Sequence, residues 1–415
     1  MKKLLICLIF FLSLSVGAQD KQTLDLLVSK GIITRQEADN VMKKSSAEIV
    51  PNRSTTKSIT LIGRAQTQFE NISVRENING ASNSLETKNN FILRRVFLGM
   101  EAELGADWTA TVIADFARSS SGYLEYVYVS KKLDGEILNG TIDVGYKKIA
   151  FNLEEYSSSS QMPTIERSIV SRYFSEGANG RRLGLGGRHT GVFWSGKIPQ
   201  LDYIKYGASI TNSYNNNPTS SPTNASEEFL YGANIAYVRT FENSITINAG
   251  LNFIYSNSVD TDSSNNHSGN VYGINPYIKL SSKNISLWSE LLLANIDNAK
   301  SNYEKSATPW GVNTAIEYKF DVGELGQIAP IARFAYLDTD GRGTIMGDGV
   351  RNAASGEIFD NGWSVYFGLN WYIIGDDLKL QLGYEYTRLK DSPTQTSKKQ
   401  SSEANSFRTQ LQVLF

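Results

Sequence analysis

The chain has 415 residues, with 41 Lys and Arg against 42 Asp and Glu, a formal net charge of −1 at pH 7, and that balance excludes the basic footprint of a nucleic-acid binder. Its one cysteine, Cys7, excludes a disulfide framework and a cysteine metal site. A mean hydropathy of −0.29 leaves two classes: a soluble secreted β protein, or a barrel whose apolar residues alternate with polar ones and so escape averaging.

The first residues have the grammar of a secretory signal. Lys2 and Lys3 form a charged start, Leu4 to Val16 an apolar run, and Val16-Gly17-Ala18 a small-residue cleavage site. The apolar run is shorter than the roughly 20 residues a spanning helix needs, so the expectation is cleavage near Ala18. Thr23 to Lys44 then carries a helical pattern with Leu26, Leu27, Ile32, Ile33, Ala38 and Val41 as its apolar set. Within it, Thr34-Arg35-Gln36-Glu37 is a capping box that starts a second short helix. A polar linker, Lys43 to Lys57, follows.

From Ile59 to the end the period is two, the mark of strands with one apolar and one polar face. In Ser244 to Tyr255, for example, Ile245, Ile247, Ala249, Leu251, Phe253 and Tyr255 oppose Thr246, Asn248, Gly250 and Asn252. Segments such as 59–70, 90–104, 139–149, 181–194, 309–320, 377–389 and 403–415 belong to a set of about sixteen, the even number that single-chain bacterial barrels require. Connections alternate in length: 71–89, 150–180, 214–227, 257–269, 296–308, 338–359 and 390–402 are the longer ones, and Gly105-Ala106-Asp107 and 282–283 are among the turns. Barrels of the outer membrane have long outer loops and short periplasmic turns, whereas a soluble sandwich has no reason to collect its long connections at one end. Trp310, Trp363, Trp371, Tyr255, Tyr336, Tyr384 and Phe415 fall on outward faces near strand ends, as interfacial girdles do. The predicted fold is all-β: a 16-stranded antiparallel transmembrane β-barrel over 58–415, preceded by a signal peptide, 1–18, and a short N-terminal helical periplasmic extension, 19–57. The final strand, Phe407 to Phe415, ends like the signal read by the outer-membrane insertion machinery.

If outward faces meet lipid, the opposite faces line a lumen. Inward basic residues are Arg64, Arg95, Lys147, Arg182, Arg188, Lys205, Lys279, Lys319, Arg333, Lys379 and Arg408; they outnumber the acids Glu101, Asp115, Glu125, Asp143, Glu290, Glu317 and Glu385. Rings of Arg or Lys favour anions in a narrow pore, although opposite charges on neighbouring strands also pair to stiffen a wall. A connection as long as 150–180 is commonly functional; folded inward, its Arg167 and Arg172 would set the charge of a constriction. The opposing expectation is an ordinary surface loop.

Several stretches resemble the phosphate-selective porin O and P family. Val144-Gly145-Tyr146-Lys147-Lys148-Ile149-Ala150-Phe151-Asn152-Leu153-Glu154 is similar to its pattern after the fifth strand. Thr164-Ile165-Glu166-Arg167-Ser168 is similar to the Glu-Arg-Ser element of its third loop, and Phe91 to Gly99, with Asp107-Trp108 and Asp115-Phe116, resembles its second and third strands. The resemblance implies a barrel over about 59–415, commonly a homotrimer, with an inward third loop and arginines leading to a phosphate or polyphosphate site. Where phosphate-specific members carry lysines in the fifth loop, 257–269 here is acidic and polar.

The functional expectation is passive diffusion of small hydrophilic solutes or anions such as phosphate, through a barrel in contact with outer-membrane lipid, with no cofactor. Arg64, Arg95, Lys147, Arg167, Arg172, Arg182, Arg188 and Arg333 are its pore-lining, anion-binding candidates. The alternative is a non-conducting barrel serving as an adhesin or assembly partner. Catalysis has little support: His189 and Ser195 lack an identified triad. Asp338-Thr339-Asp340-Gly341 with Asp348 has the outline of a calcium loop but no closing glutamate at the required spacing.

Overall fold

A computed structural model describes residues 56–117, 124–135, 139–177, 181–212, 229–242, 244–256, 270–297, 306–391 and 400–415. The expected signal peptide, nearly all of the helical extension and the 257–269 loop lie outside the described residues. The chain parts into two units, Met1–Ile59 and Thr60–Phe415, and the second is the barrel.

Sixteen antiparallel staves close on themselves. In order they are β1 (Thr56–Ile78), β2 (Ala81–Leu104), β3 (Trp108–Asp115), β4 (Leu124–Asp134), β5 (Asn139–Lys148), β6 (Arg188–Ile198), β7 (Leu201–Asn212) and β8 (Phe229–Thr240). Then come β9 (Thr246–Ser256), β10 (Val271–Ser281), β11 (Ile285–Ile296), β12 (Trp310–Tyr318, continued by Phe320–Asp321), β13 (Gln327–Asp338), β14 (Asn361–Ile374), β15 (Leu378–Lys390) and β16 (Gln400–Leu414). The seam is the β1–β16 ladder, running from Arg64 opposite Leu414 to Ile78 opposite Gln400. Closure leaves no edge strand, which satisfies every backbone donor in a medium without water.

The alternation places large apolar residues outside: Val112, Val144, Ile210, Leu251, Ile274, Ile316, Phe367 and Leu411 are all exposed. Gln66, Gln68, Asn252, Asn275, Asn313, Asn370, Gln381, Gln410 and Gln412 are buried inside. In a soluble protein this polarity would be inverted; against lipid it is the stable arrangement.

Two boundaries differ from expectation. The predicted 71–89 loop is a hairpin that carries β1 and β2 to 23 and 24 residues, well beyond the roughly 9–11 that span a membrane. Asn79 and Gly80 make its turn with φ of 53° and 87°, the Asn-Gly geometry that matches strand twist. The predicted 181–194 strand begins at Arg188, because 181–187 belong to the inward loop.

Among the described residues three short α-helices sit between strands: α1 (Leu153–Tyr156), α2 (Ile169–Ser175) and α3 (Met346–Gly349). α1 and α2 lie in the connection between β5 and β6, and α3 in that between β13 and β14. Their apolar residues join inward-facing wall residues in one connected cluster: Phe151, Ile169, Val170, Tyr173, Phe174, Met346, Val350 and Phe359 against Ile72, Val74, Leu230, Ile254, Val271, Leu292, Ile296, Leu337 and Leu389. The hydrophobic core of this membrane barrel is therefore inside the lumen.

Candidate functional site: a plugged and divided lumen

The β5–β6 connection enters the barrel because the wall supplies partners for its backbone. Asn152, at φ 67°, caps α1 through its side chain, which accepts from Glu155 N. The first helical N–H groups, Leu153 and Glu154, donate to the Glu290 carboxyl group on β11 at 2.7 and 3.1 Å, which satisfies two donors that the helix itself leaves open. Glu154 accepts from Arg333 Nη1 at 3.0 Å and from Ser168 Oγ at 2.6 Å, while Arg333 Nη2 donates to Glu385 at 2.7 Å. The descending tip, 158–163, offers carbonyls to the opposite wall: Pro163 O accepts from Asn370 at 2.8 Å, and Ser160 O from Gln412 at 3.1 Å and from Lys379. Both seam strands hold this tip, since Arg64 on β1 donates to Ser159 at 2.7 Å and to Ser158 at 3.3 Å.

The β13–β14 connection packs on the same plug. Arg351 pairs with Glu166 at 3.1 Å and with Glu176, Arg181 with Asp348 at 2.7 Å, and Asn352 donates to both Glu70 oxygens at 3.0 Å. Burial by itself would raise the Glu166 carboxyl, but Arg94 and Arg351 outweigh it and hold it well below the usual carboxylate range. Glu176 is likewise buried, and Arg172, Arg351 and Arg182 bring it down to about 2. Burial draws Arg172 down to about 10.

The eight sequence candidates divide by partner. Lys147 pairs with Asp143, Arg167 with Glu155 at 2.6 Å, Arg172 with Glu176 at 3.2 Å, Arg182 with Glu176 at 2.9 Å, Arg188 with Glu125, and Arg333 with Glu154 and Glu385. Arg167 and Arg172, buried to 8% and 3% exposure, thus hold the plug's own acids. Arg95 donates to Gln66 at 2.7 Å. Arg64 has the two serine hydroxyls as partners and no carboxylate in ion-pair range among the described residues.

Three of the basic residues that alternation of side chains missed pair with acids of the plug. Arg94 joins Arg95 inside, pairing with Glu166 at 2.5 Å; the pleat breaks beside it, where Val96 N turns to the Asp115 carboxylate at 3.0 Å. Lys148 joins Lys147, pairing with Glu155 at 3.2 Å. Gly145 kinks that strand at φ 140°, where an added Cβ would meet Val127 O at 2.2 Å. The third, Arg351, reaches Glu166 across 185 positions of sequence, a pairing without a local signal.

Two of the water-accessible chambers among the described residues lie beside the 153–166 segment. One, of about 350 Å³, is lined by Arg64, Phe97, Ile113, Tyr126, Lys148, Ser158, Ser159, Arg188 and Asp377. The other, of about 360 Å³, is lined by Glu154, Gln161, Lys279, Lys283, Trp288, Glu317, Lys319, Tyr372 and Asp376. Cations lie over aromatic faces in both: Arg64 on Phe97 and Arg188 on Tyr126, each at 4.8 Å, and Lys319 on Tyr372 at 4.2 Å.

Neither alternative chemistry gains geometry. His189 and Ser195 stand six residues apart on one strand, roughly 20 Å, and His189 Nδ1 lies 3.2 Å from Asn212 O. Asp338 accepts from Asp340 N at 2.9 Å, and Asp340 from Thr308 N at 2.8 Å, so these carboxylates serve as turn caps. Among the described residues no group of three His, Cys, Asp or Glu side chains is placed to hold a metal.

A closed barrel with an apolar exterior, a polar lumen and a long inserted connection defines an outer-membrane porin. The model of the family described as phosphate-selective porin O and P matches residues 63–415, and the chain belongs to that family. Its fold is shared with the anion-selective porin from Comamonas acidovorans, 14% identical, covering 86% of this chain and 99% of that one with a TM-score of 0.51. OprB of Pseudomonas putida is 10% identical over 85% of this chain and 94% of its own, with a TM-score of 0.50. No curated protein matches in sequence.

Proposed function

We propose that this outer-membrane porin conducts small hydrophilic solutes with a preference for anions. The observation that carries the reading is where unneutralised charge meets water. Arg64 in one chamber, and Lys279, Lys283 and Lys319 in the other, reach open space without a carboxylate in ion-pair range among the described residues. Two lumenal acids without a cationic partner have their oxygens taken up by hydrogen bonds. Glu290 accepts from α1 and Asn275, and Glu317 from Asn370 and Tyr372 at 3.0 and 2.7 Å. The mobile ion therefore meets a positive surface. In planar bilayers under a KCl gradient the reversal potential is expected to have the sign of chloride preference; a cation-selective potential overturns the reading, and a silent protein would favour the adhesin or assembly role instead.

The same reading holds the chain to be a non-catalytic channel, made with a signal peptide ending near Ala18 and inserted through its C-terminal strand, in which Phe415 is 54% exposed at the rim. Assembly as a homotrimer belongs to it through family membership. Phosphate is one candidate among small anions.

A further inference from the structure

The Arg64 chamber has a chemistry of its own. Resting on the channel reading, we infer that it is a binding site for a small organic monocarboxylate with an aromatic or branched apolar body. Arg64 supplies the charge: its Nη atoms donate to Ser159 and Ser158, and its Nε is buried without a hydrogen-bond partner. Serine hydroxyls rotate and accept or donate, so an entering carboxylate takes the guanidinium edge and keeps both hydroxyls as donors. Guanidinium and carboxylate are matched in shape for such a two-pronged contact.

The charge count of the chamber favours one negative charge over two. Lys148 and Arg188 also line it, but Lys148 shares Glu155 with Arg167 and Arg188 is paired with Glu125, and Asp377 on the same lining opposes a second negative charge. The remaining wall is apolar: Phe97 and Tyr126 each carry a guanidinium on one face, with Ile113 and Leu61 beside them. That surface gives nothing to a hydrated inorganic anion, and it stabilises a ring or branched chain by displacing water. The volume of about 350 Å³ is within the range of small-molecule sites.

Blockade of chloride current through the full-length protein in planar bilayers tests this, with benzoate, acetate and inorganic phosphate as probes. Benzoate is expected to block at about tenfold lower concentration than acetate or phosphate, a difference near 1.4 kcal/mol, and Arg64→Ala is expected to abolish that advantage, read as the ratio of blocking concentrations on the chloride current the variant itself carries. Arg64→Lys keeps the charge but loses the fork, and is expected to retain only part of it. Phosphate blocking as well as benzoate, or equal benzoate block in Arg64→Ala, overturns the proposal. If Arg64→Ala fails to insert, titration calorimetry on the wild-type protein in detergent decides: heat from benzoate and none from acetate supports the site, and equal signals sink it. Absence of any KCl conductance would instead count against the channel reading, so the two failures are told apart.

Discussion

At the scale of residues, most lumenal charge in this porin is engaged in holding the plug. Arg333 is the centre of that engagement, fully buried between Glu154 and Glu385 and stacked 5.3 Å from Tyr366. A buried ion pair replaced as a unit is often neutral, but removal of one partner strands the other and costs about 3–5 kcal/mol. Arg333→Ala is therefore expected to lower unfolding stability by roughly that amount, measured as the urea midpoint of the heat-modifiable band on gels. A change below about 1 kcal/mol would show that the two carboxylates find other partners. Acid is expected to loosen the contact between the two inward connections. Glu176 titrates near 2 in the fold against about 4.3 in an unfolded chain, so it binds fewer protons folded than unfolded. Its stabilisation is present above about pH 4.3 and is lost as pH falls toward 2. A spin label at Ala354→Cys should gain mobility, reversibly, between pH 5 and 2; an unchanged spectrum would rule out carboxylates as the fastening.

At the scale of elements, the apolar cluster matters more for stability than the ions around it. Each fully buried side chain such as Phe174 or Ile254 stabilises by about 1.5–3 kcal/mol, whereas the attraction within a buried ion pair is largely offset by the cost of desolvating both charges. A layer of this kind is also a barrier to ions, because hydrophobic constrictions exclude water. Conduction past it is expected to need the α2 and α3 connections to part. Ile169 and Gly349 allow a direct test, since a Cβ built on Gly349 lies 3.6 Å from Ile169 Cβ, within the range a disulfide spans. In Ile169→Cys/Gly349→Cys, oxidation should silence single-channel current and reductant should restore it. Full conductance in the oxidised state would mean that solutes pass beside the plug without moving it.

At the scale of the molecule, the barrel was legible because lipid imposes period two on every stave, and Ser244 to Tyr255 or Leu378 to Tyr386 obey it nearly without exception. Loop lengths alternate for a similar reason, as one end of such a barrel carries the short turns. Legibility failed where tertiary partners override the pleat. Arg94 and Lys148 face inward against parity because Glu166 and Glu155 wait there, and both acids arrive on a connection whose path only the folded wall determines. The Asn79-Gly80 turn was written in the sequence, but polar composition masked the extended hairpin as a loop. Among the eight basic candidates, the sequence cannot separate Arg64, facing two hydroxyls, from Arg167, facing Glu155.

The grip of both seam strands on the plug's tip bears on how the protein is made. Gln66 on β1 and Gln412 on β16 join each other at 2.6 Å, and Arg64 and Gln412 each bind the Ser159-Ser160 tip. β1 is synthesised first and β16 last, so the chain's two most distant strands must find one another at the end of assembly. A tip already seated against β1 presents β16 with waiting carbonyls, and in that sense the inserted connection is a template on which the cylinder zips shut.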